Sequence, residues 1–401
     1  MYNTRLDGLT EYPFQRLAAL LADAAPEVPA EACIAMSIGE PQHAPPALLH
    51  AALARNSEDW GKYPPTAGTP AFRQAVAGWA TRRYGLPAGM IEAERHVLPV
   101  AGSREALFMA AQLCVPPDKN GRGPTVLMPN PFYQVYFGAA VMNGAEPVFV
   151  PATKETGFQP DYARAPRDAL NRAAMAYLCT PANPQGTVAT LERLKESIIL
   201  ARRHDFVLVS DECYSEIYDE TPPPGALQAC AALGGDLSNV LVFNSLSKRS
   251  SVPGLRSGFV CGDAALIARF GKLRAHGGAV QPVPVLSAAA ALWNDEAHVA
   301  ENRALYRQKF SDAAQILNGR FEFYRPEGGF FLWLNVGDGE AAARALWVKG
   351  GIKVLPGGYL ARPDTDGRNP GRPYIRVALV HEPAHTAEAL QRLRRILETS
   401  L

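Results

Sequence analysis

Short apolar segments alternate with helical patterns between residues 97 and 265. Seven segments rich in Val, Leu and Phe predict buried strands: VLPV (97–100), TVLMP (125–129), PVFV (147–150), AMAYLCT (174–180), FVLVSDE (206–212), NVLVFNS (239–245) and SGFVCG (257–262). Several of them lack the apolar–polar alternation of a one-sided sheet, which is typical of parallel strands covered on both faces. The pattern predicts an α/β domain with a mainly parallel, seven-stranded sheet.

The segments between these strands carry helix signals. Thr69 and Pro70 have the form of an N-cap and a first helical residue ahead of AFRQAVAGWATRRYG, and Gly85 ends that pattern. Thr190 precedes LERLKESIILARRHD (191–205), whose apolar residues at 191, 194, 198 and 201 share one face. These helices would cover the two faces of the sheet.

The sequence changes character after about residue 290. A long helical pattern, NDEAHVAENRALYRQKFSDAAQILNG, is followed by short strand-like segments and a final helix near 383–398. This order predicts a smaller α+β domain. We therefore expect an N-terminal segment (1–45) that packs with the small domain, a large domain (46–290) and a small C-terminal domain (291–401).

Composition and charge narrow the class of protein. The formal net charge is +1 and 20% of the residues are charged, so nothing favours a nucleic acid or an acidic membrane surface as a partner. No apolar run approaches the ~18 residues of a membrane span, and the N-terminus lacks the apolar core of a secretory signal. Six scattered cysteines and eight unclustered histidines predict reduced thiols and no bound metal. We expect a cytoplasmic protein that acts on small molecules.

Polar side chains follow five of the predicted strands. In an open parallel sheet, ligands bind beyond the carboxyl ends of the strands. The residues at those ends are Ser103, Tyr133, Asn183, Asp211, Tyr214, Ser245 and Lys248. Each one alone has an ordinary explanation, such as a helix cap, a packing tyrosine or a surface lysine. Their coincidence at successive strand ends predicts a single ligand site.

One end of this site has the chemistry of a phosphate pocket. Gly102 and Ser103 open a predicted helix, and a helix N-terminus attracts anions through its free backbone N–H groups. Arg256 can bind the same phosphate in bidentate fashion, and Ser245 and Ser247 can complete the cage.

The other residues fit an aromatic aldehyde. Asp211, at the end of an apolar strand, needs a partner such as a protonated ring nitrogen. Tyr133 offers a face for stacking on a ring, Asn183 and Tyr214 can hydrogen-bond a ring oxygen, and Lys248 can react with an aldehyde. The cofactor that carries a phosphate, a pyridine nitrogen, a ring hydroxyl and an aldehyde is pyridoxal 5′-phosphate.

Several motifs identify a family. Over essentially its whole length the chain resembles the fold-type I, class I/II aminotransferases. Besides the strand-end residues, the matching motifs are IGEP (38–41), KYPPTAGTPAFRQAVA (62–77), SLSKRSSVPGLRSG (245–258), PEGGFFLW (326–333) and YIRVAL (374–379).

The resemblance implies a role for each matching residue of the cofactor site. Catalysis would rest on Lys248, which binds the cofactor aldehyde, on Asp211 at the ring nitrogen and on Tyr214 at the ring oxygen. The remaining cofactor-binding residues would be Gly102, Ser103, Arg104, Tyr133, Asn183, Ser245, Ser247 and Arg256.

The resemblance also implies how substrate and subunits are arranged. Arg376 would clamp the substrate α-carboxylate, with Asn183 and the backbone of Gly39 nearby. Tyr63 would reach the cofactor phosphate of the neighbouring subunit, so a homodimer with shared active sites is expected. The Asn183–Pro184 peptide bond is expected to be cis.

Further stretches are similar to the succinyldiaminopimelate aminotransferases, among them SIGEPQH (37–43), SDECYSEIY (210–218), NRALYRQKF (302–310) and VLPGGYLAR (354–362). This similarity implies that N-succinyl-LL-2,6-diaminopimelate and 2-oxoglutarate become N-succinyl-2-amino-6-oxopimelate and glutamate, in the diaminopimelate route to lysine. The succinyl arm requires a second cationic region. The candidates for it are Lys62, Arg104, Arg249 and the HGG loop (276–278).

Three departures from the family pattern, Ala182, Gln185 and Ser251, leave room for a different substrate. An aspartate, aromatic or acetylornithine-type aminotransferase is the nearest alternative. A β-lyase or a 1-aminocyclopropane-carboxylate-type synthase on the same fold is a second. A ligand sensor within a transcription regulator is a third, although the basic DNA-binding extension expected of such a protein is not seen in the sequence.

Overall fold

The computed structural model describes residues 1–400. Its strands are β1 (Ile34–Ala35), β2 (Val97–Val100), β3 (Thr125–Asn130), β4 (Glu146–Pro151), β5 (Ala173–Cys179), β6 (Val207–Asp211), β7 (Val240–Ser245), β8 (Gly258–Gly262), β9 (Phe331–Asn335), β10 (Ile352–Lys353), β11 (Leu355–Pro356) and β12 (Tyr374–Ala378). The seven predicted strands correspond to β2–β8, with ends that differ by at most one residue.

The helices are α1 (Pro13–Leu20), α2 (Ala47–Arg55), α3 (Pro70–Tyr84), α4 (Ala93–His96), α5 (Ser103–Cys114), α6 (Gln134–Met142), α7 (Arg167–Arg172), α8 (Leu191–Arg203), α9 (Ala226–Ala232), α10 (Leu246–Arg249), α11 (Ala264–Gly277), α12 (Val283–Asn294), α13 (Ala297–Leu317), α14 (Gly339–Gly350) and α15 (Pro383–Ser400). The predicted caps are present. Thr69 accepts from the N–H of Phe72 at 3.2 Å, and Thr190 accepts from the N–H of Arg193 at 3.1 Å. Gly85 ends α3 at φ 60°.

Strands β2–β8 form one sheet in the order β2-β8-β7-β6-β5-β3-β4. Strands β3–β7 are mutually parallel, whereas β8 is antiparallel to both β7 and β2. The prediction of a mainly parallel sheet is confirmed. The exception has a local cause: between β7 and β8 the chain forms only α10 and a short 3-10 helix (Pro253–Leu255), and it lacks the longer helix that usually returns a parallel crossover to the other end of the strands.

Helices cover this sheet on both faces. Residues of α3, α8, α9 and α12 form one apolar cluster with the sheet, and residues of α5, α6 and α11 form another. Along β6, Leu208 belongs to the first cluster and Val207 and Val209 to the second. Burial on both sides explains why the strand sequences lack alternation.

The C-terminal part contains a second sheet, with the antiparallel order β11-β12-β9. The N-terminal segment packs on this part, because β1 pairs in parallel with β10 and because Leu17 and Leu21 cluster with Trp333 and Leu355. The domain boundaries at residues 45 and 290 stay predictions. Within residues 1–400, no helix combines the length and the apolar character needed to cross a bilayer.

Candidate active site

The carboxyl ends of the parallel strands meet at one edge of the large sheet. Most of the predicted site residues lie at this edge, and contacts between residues far apart in sequence join them. The Cys213 Sγ is 2.9 Å from the Ser103 Oγ, for example, and the Arg376 guanidinium bonds Asn183.

The predicted phosphate pocket lies at the N-terminus of α5. Gly102 has φ 80°, and a Cβ on it would collide with the guanidinium of Arg256. The Ser245 Oγ is 2.9 Å from the Ser247 Oγ and accepts from the N–H of Ser247 at 3.1 Å. Within residues 1–400, Arg256 forms no ion pair; its Nη1 donates to the carbonyl of Pro253 at 2.8 Å. A free guanidinium beside a helix N-terminus is suited to an anion.

Asp211 is a buried carboxylate at the end of β6, with 3% of its surface exposed. The Tyr136 hydroxyl donates to its Oδ2 at 2.6 Å, and the N–H of Cys213 donates to its Oδ1 at 3.3 Å. Burial raises the pKa of Asp211, against the opposing effect of these hydrogen bonds. A cationic group bonded to the carboxylate would remove this penalty.

Tyr136 and Cys213 were not among the predicted site residues. Tyr136 follows Tyr133 by three residues in NPFYQVY, and the two rings meet edge to face at 5.6 Å. A spacing of three places side chains on the same face of a helix, so this pattern could have identified Tyr136. Cys213 lies two residues after Asp211, and no sequence pattern indicated that it belongs to the site.

Lys248 extends from α10, whose first turn is capped by Ser245. Its Nζ donates to the carbonyl of Gly39, and the Phe330 ring centroid is 5.3 Å away. Within residues 1–400 the amine forms no ion pair. Burial lowers the pKa of Lys248 to about 8, and the nearby Arg376 adds to this effect. At pH 7 about a tenth of amines with this pKa are unprotonated, far more than at the ordinary value of 10.5, and the unprotonated form is the nucleophile and base.

Arg376 lies on β12 between β9 and β11, with 5% of its surface exposed. Its Nη1 donates to the Asn183 Oδ1 at 2.9 Å, and its Nη2 donates to the carbonyl of Ser37 at 2.7 Å. Its Nε has no partner, and no carboxylate within residues 1–400 pairs with it. Burial lowers its pKa to about 10. A carboxylate ligand would supply the missing charge.

The three predicted tyrosines of the site differ in how far they are buried. Burial raises the pKa of both Tyr133 and Tyr214, and Tyr214 packs edge to face with Phe330 at 5.3 Å. The Asn183–Pro184 bond is cis, as predicted. Tyr63, by contrast, is 100% exposed, and within residues 1–400 no hydrogen bond or ring contact joins it to the other predicted site residues.

Of the four predicted regions for the succinyl arm, Arg249 is excluded. It is fully buried and binds the Glu296 carboxylate at 2.7 Å and the carbonyl of Leu292 at 2.6 Å. Lys62 lies on the surface, paired with Asp59 at 2.7 Å. Arg104 is exposed beside the site, with its guanidinium 5.2 Å from the Tyr12 ring centroid.

These surroundings fit the predicted cofactor. Asp211 has no cationic hydrogen-bond partner, Arg256 has no acidic one, and Lys248 bonds only a carbonyl within residues 1–400. The protonated ring nitrogen of the cofactor can pair with Asp211, its phosphate with Arg256 and its aldehyde with Lys248. The fold and the site are therefore those of a pyridoxal-phosphate-dependent protein.

The comparison with known families agrees. The model of aminotransferase class I and II matches residues 31–393, and the chain belongs to this family. Because the family uses pyridoxal phosphate, the predicted cofactor is confirmed along with the fold class and the family.

Two curated relatives cover nearly the whole chain. The 4-dedimethylamino-4-oxo-anhydrotetracycline transaminase OxyQ of Streptomyces rimosus is 33% identical over 96% of this chain and 99% of its own. An LL-diaminopimelate aminotransferase of Moorella thermoacetica is 32% identical over 98% of this chain and 97% of its own. Two aminotransferases that are named for different substrates thus have nearly the same sequence identity to this chain.

Two solved structures are similar throughout. An aminotransferase from Neisseria meningitidis is 42% identical, with a TM-score of 0.93 and complete coverage of both chains. A probable N-succinyldiaminopimelate aminotransferase from Thermus thermophilus is 25% identical, with a TM-score of 0.81, over 96% of this chain and 100% of its own.

Proposed function

We propose that this aminotransferase acts on N-succinyl-LL-2,6-diaminopimelate, with 2-oxoglutarate as the amino acceptor. The products are N-succinyl-2-amino-6-oxopimelate and glutamate, in the route to diaminopimelate and lysine. The similarity to the Thermus thermophilus protein supports this substrate class, and a cavity beside the site carries the proposal.

This cavity has a volume of about 520 Å³ and is lined by Tyr12, Arg104, Glu105, Phe108, Phe137 and Arg256 among others. Glu105 forms an ion pair with Arg274 at 3.4 Å, whereas neither lining arginine has an acidic partner within residues 1–400. Because Arg256 is assigned to the cofactor phosphate, Arg104 supplies the positive charge that remains for a substrate in this cavity. A succinyl arm, which replaces a distal ammonium by an amide and a carboxylate, matches that charge better than unmodified diaminopimelate does.

The substrate roles follow from the local chemistry. Arg376 and Asn183 bind the α-carboxylate, and Arg104 binds a distal carboxylate of the succinyl arm. Lys248, whose lowered pKa leaves it partly unprotonated, moves the proton at the substrate Cα. Gly39 accepts from the lysine amine through its carbonyl.

The cofactor roles use the same contacts. When bound, pyridoxal phosphate supplies an electrophilic aldehyde and a ring that withdraws electrons from the substrate Cα. Asp211, supported by the Tyr136 hydroxyl, would hold the proton of the ring nitrogen. Tyr133 would offer its face to the ring, and Tyr214 and Asn183 would hydrogen-bond the ring oxygen. Ser103, Ser245, Ser247 and Arg256 would hold the phosphate, helped by the backbone N–H groups of Gly102 and Arg104, which leaves the Arg104 side chain for the succinyl arm.

A substrate panel tests the proposal. We expect purified enzyme to form glutamate from 2-oxoglutarate fastest with N-succinyl-LL-2,6-diaminopimelate, compared with LL-2,6-diaminopimelate, N-acetylornithine and aspartate. Arg104→Met should raise the KM for the succinylated substrate by about 10-fold or more, as expected for a lost charge-assisted hydrogen bond. Arg203→Met, on the distant surface of α8, is the matched control. A faster reaction with LL-2,6-diaminopimelate, unaffected by Arg104→Met, would contradict the succinyl assignment.

LL-2,6-diaminopimelate is the second candidate substrate, because the Moorella thermoacetica relative is named for it. Formation of pyruvate and ammonia from a cysteine conjugate, without glutamate, would instead indicate a β-lyase.

We infer that the protein is a homodimer and, from its six free cysteines, that it works in the reducing cytoplasm. The full exposure of Tyr63 and the 56% exposure of Trp60 support an interface with a second copy. Mixing inactive Lys248→Ala with Tyr63→Ala protein should restore activity, because one site of each mixed dimer then has both residues. No gain on mixing, with subunit exchange verified, would contradict shared sites.

A further inference from the structure

Lys309 of α13 is a fully buried lysine that forms no ion pair within residues 1–400. Its Nζ contacts three acceptors: the His43 Nε2 at 2.8 Å, the carbonyl of Leu379 at 2.8 Å and the carbonyl of His381 at 2.7 Å. All three hydrogens of an ammonium group are therefore used. A buried amine with fixed acceptors is costly to disturb, because any lost bond leaves a polar group without water.

The neighbours of His43 determine which of its nitrogens carries the proton. Lys309 donates, so the Nε2 is an acceptor. The Nδ1 lies 2.9 Å from the Asn302 Oδ1. The Asn302 Nδ2 donates to the carbonyls of Lys248 at 3.1 Å and Arg249 at 3.2 Å, so the Oδ1 accepts and the His43 Nδ1 is protonated.

These bonds form a continuous path that joins α10, α13, the N-terminal segment and the residues after β12. It begins at the carbonyl of Lys248, passes through Asn302, His43 and Lys309, and ends at the carbonyl of Leu379, three residues beyond Arg376. The N-terminal segment has further contacts close to His43. Gly39 accepts from the Lys248 amine, and the N–H of Gln42 donates to the carbonyl of Val380 at 3.0 Å.

We propose that His43, Asn302 and Lys309 are positioning residues that hold the Lys248 amine and the Arg376 guanidinium at a fixed separation. The inference rests on the proposed transamination. A substrate bound through its α-carboxylate presents its Cα to the lysine only if the two groups keep their relative position. A displacement of about 1 Å can lower a rate by about 100-fold. Two motifs, SIGEPQH and NRALYRQKF, contribute all three residues.

The first experiment separates positioning from packing. In His43→Phe, the ring can keep its contact with Tyr306, 4.9 Å between centroids, but both hydrogen bonds are lost. Lys309→Met removes the amine at similar volume. His96→Phe, at a buried histidine of α4 outside this path, is the control. The rate constant of the half-reaction with glutamate is measured by stopped-flow absorbance of the cofactor-loaded proteins.

We expect both variants to lower this rate constant by about 10-fold or more, while the cofactor dissociation constant stays within about two-fold. The double variant should be no slower than the worse single one, because either change breaks the same path. His96→Phe should stay within about two-fold of wild type. Multiplying effects in the double variant, or an unchanged rate constant with a lower Tm, would assign these residues to packing alone.

Two readouts are independent of catalysis. In cofactor-free protein, 15N shifts of labelled histidine should show His43 protonated at Nδ1. Lys309→Met should also speed amide hydrogen exchange in α10, to which His43 and Asn302 connect it by hydrogen bonds. Protonation at Nε2, or exchange changes confined to α13, would overturn the proposal. If wild-type enzyme does not react with glutamate, the proposed function fails, and these two readouts still test the path.

Discussion

Two buried arginines of this chain, Arg249 and Arg376, have different kinds of partner. Arg249 binds the Glu296 carboxylate and two backbone carbonyls. Arg376 binds an amide oxygen and one carbonyl, and no carboxylate within residues 1–400 pairs with it. The Nε of each lacks a partner, so the presence of an anion distinguishes the two sites.

This difference distinguishes an arginine that has a structural role from one that can bind a ligand. A buried cation that already has its anion contributes to folding and has no charge left for a ligand. A buried cation without an anion raises the free energy of the folded state unless something binds it, and such groups concentrate at functional sites. Lys248, which is half-buried, also has no anionic partner within residues 1–400; Arg256 lacks one too, but its side chain is exposed.

The largest effect is expected from Lys248→Ala. Loss of the amine should lower kcat by at least about three orders of magnitude, because the residue provides both the covalent attachment and the proton transfer. Cofactor content measured after denaturation should persist in part, since the phosphate pocket is intact. Wild-type turnover in this variant would remove Lys248 from the site.

The paired variants Arg376→Met and Arg249→Met test the comparison directly. Arg376→Met should lower kcat/KM by about 100-fold or more and leave Tm unchanged or higher, because a buried charge without an anion is removed. Arg249→Met should lower the free energy of unfolding by about 2–3 kcal/mol. Its kcat/KM per folded molecule should change by only about two-fold. Urea unfolding and steady-state kinetics on both proteins suffice, and the opposite pattern would refute the distinction between them.

Tyr136→Phe should have an intermediate effect. The variant removes the 2.6 Å hydrogen bond to Asp211 while keeping the ring, which stacks on Tyr177 at 4.3 Å. Because that bond lowers the pKa of Asp211, its loss should raise this pKa further. We expect an about 10-fold lower kcat and a shifted absorption maximum of the bound cofactor. Tyr162→Phe, whose hydroxyl bonds a carbonyl within the core, is the control.

The smallest effect concerns pH. In cofactor-free protein the pKa of Lys248 is about 8, below its ordinary value of 10.5. Between these two values the unfolded chain binds more protons at this residue, so stability should increase as pH rises from 8 to 10.5. The slope is at most about 1.4 kcal/mol per pH unit. Lys248→Met should lose this contribution, as urea unfolding at several pH values would show; an identical slope in the variant would contradict the lowered pKa.

Much of the fold was predictable because its signals are local. The strands, the Thr69 and Thr190 caps and Gly85 depend on residues within one or two turns of each other. The strand-end residues were predictable for a related reason: parallel strands end at a common edge, so Ser103, Asp211 and Lys248 must converge once the sheet forms.

The partners of buried polar groups were not predictable in the same way. The sequence offered Arg249 as free for the succinyl arm, but the packing of α10 against α12 and α13 brings Glu296 to it. The spacing from Tyr133 could point to Tyr136 but not to its bond with Asp211, and the path from His43 to Lys309 followed from no local pattern.

The sequence by itself determined the elements, their order and the chemical groups at the strand ends, because these depend on short-range periodicity and chain connectivity. Only the tertiary structure decided which buried charges are neutralised and which remain for a ligand. Arg376 and Asn183 are 193 residues apart, and His43 and Lys309 are 266 apart. Pairings at such distances are set by how helices and sheets pack, since a shift of one helical turn changes every partner.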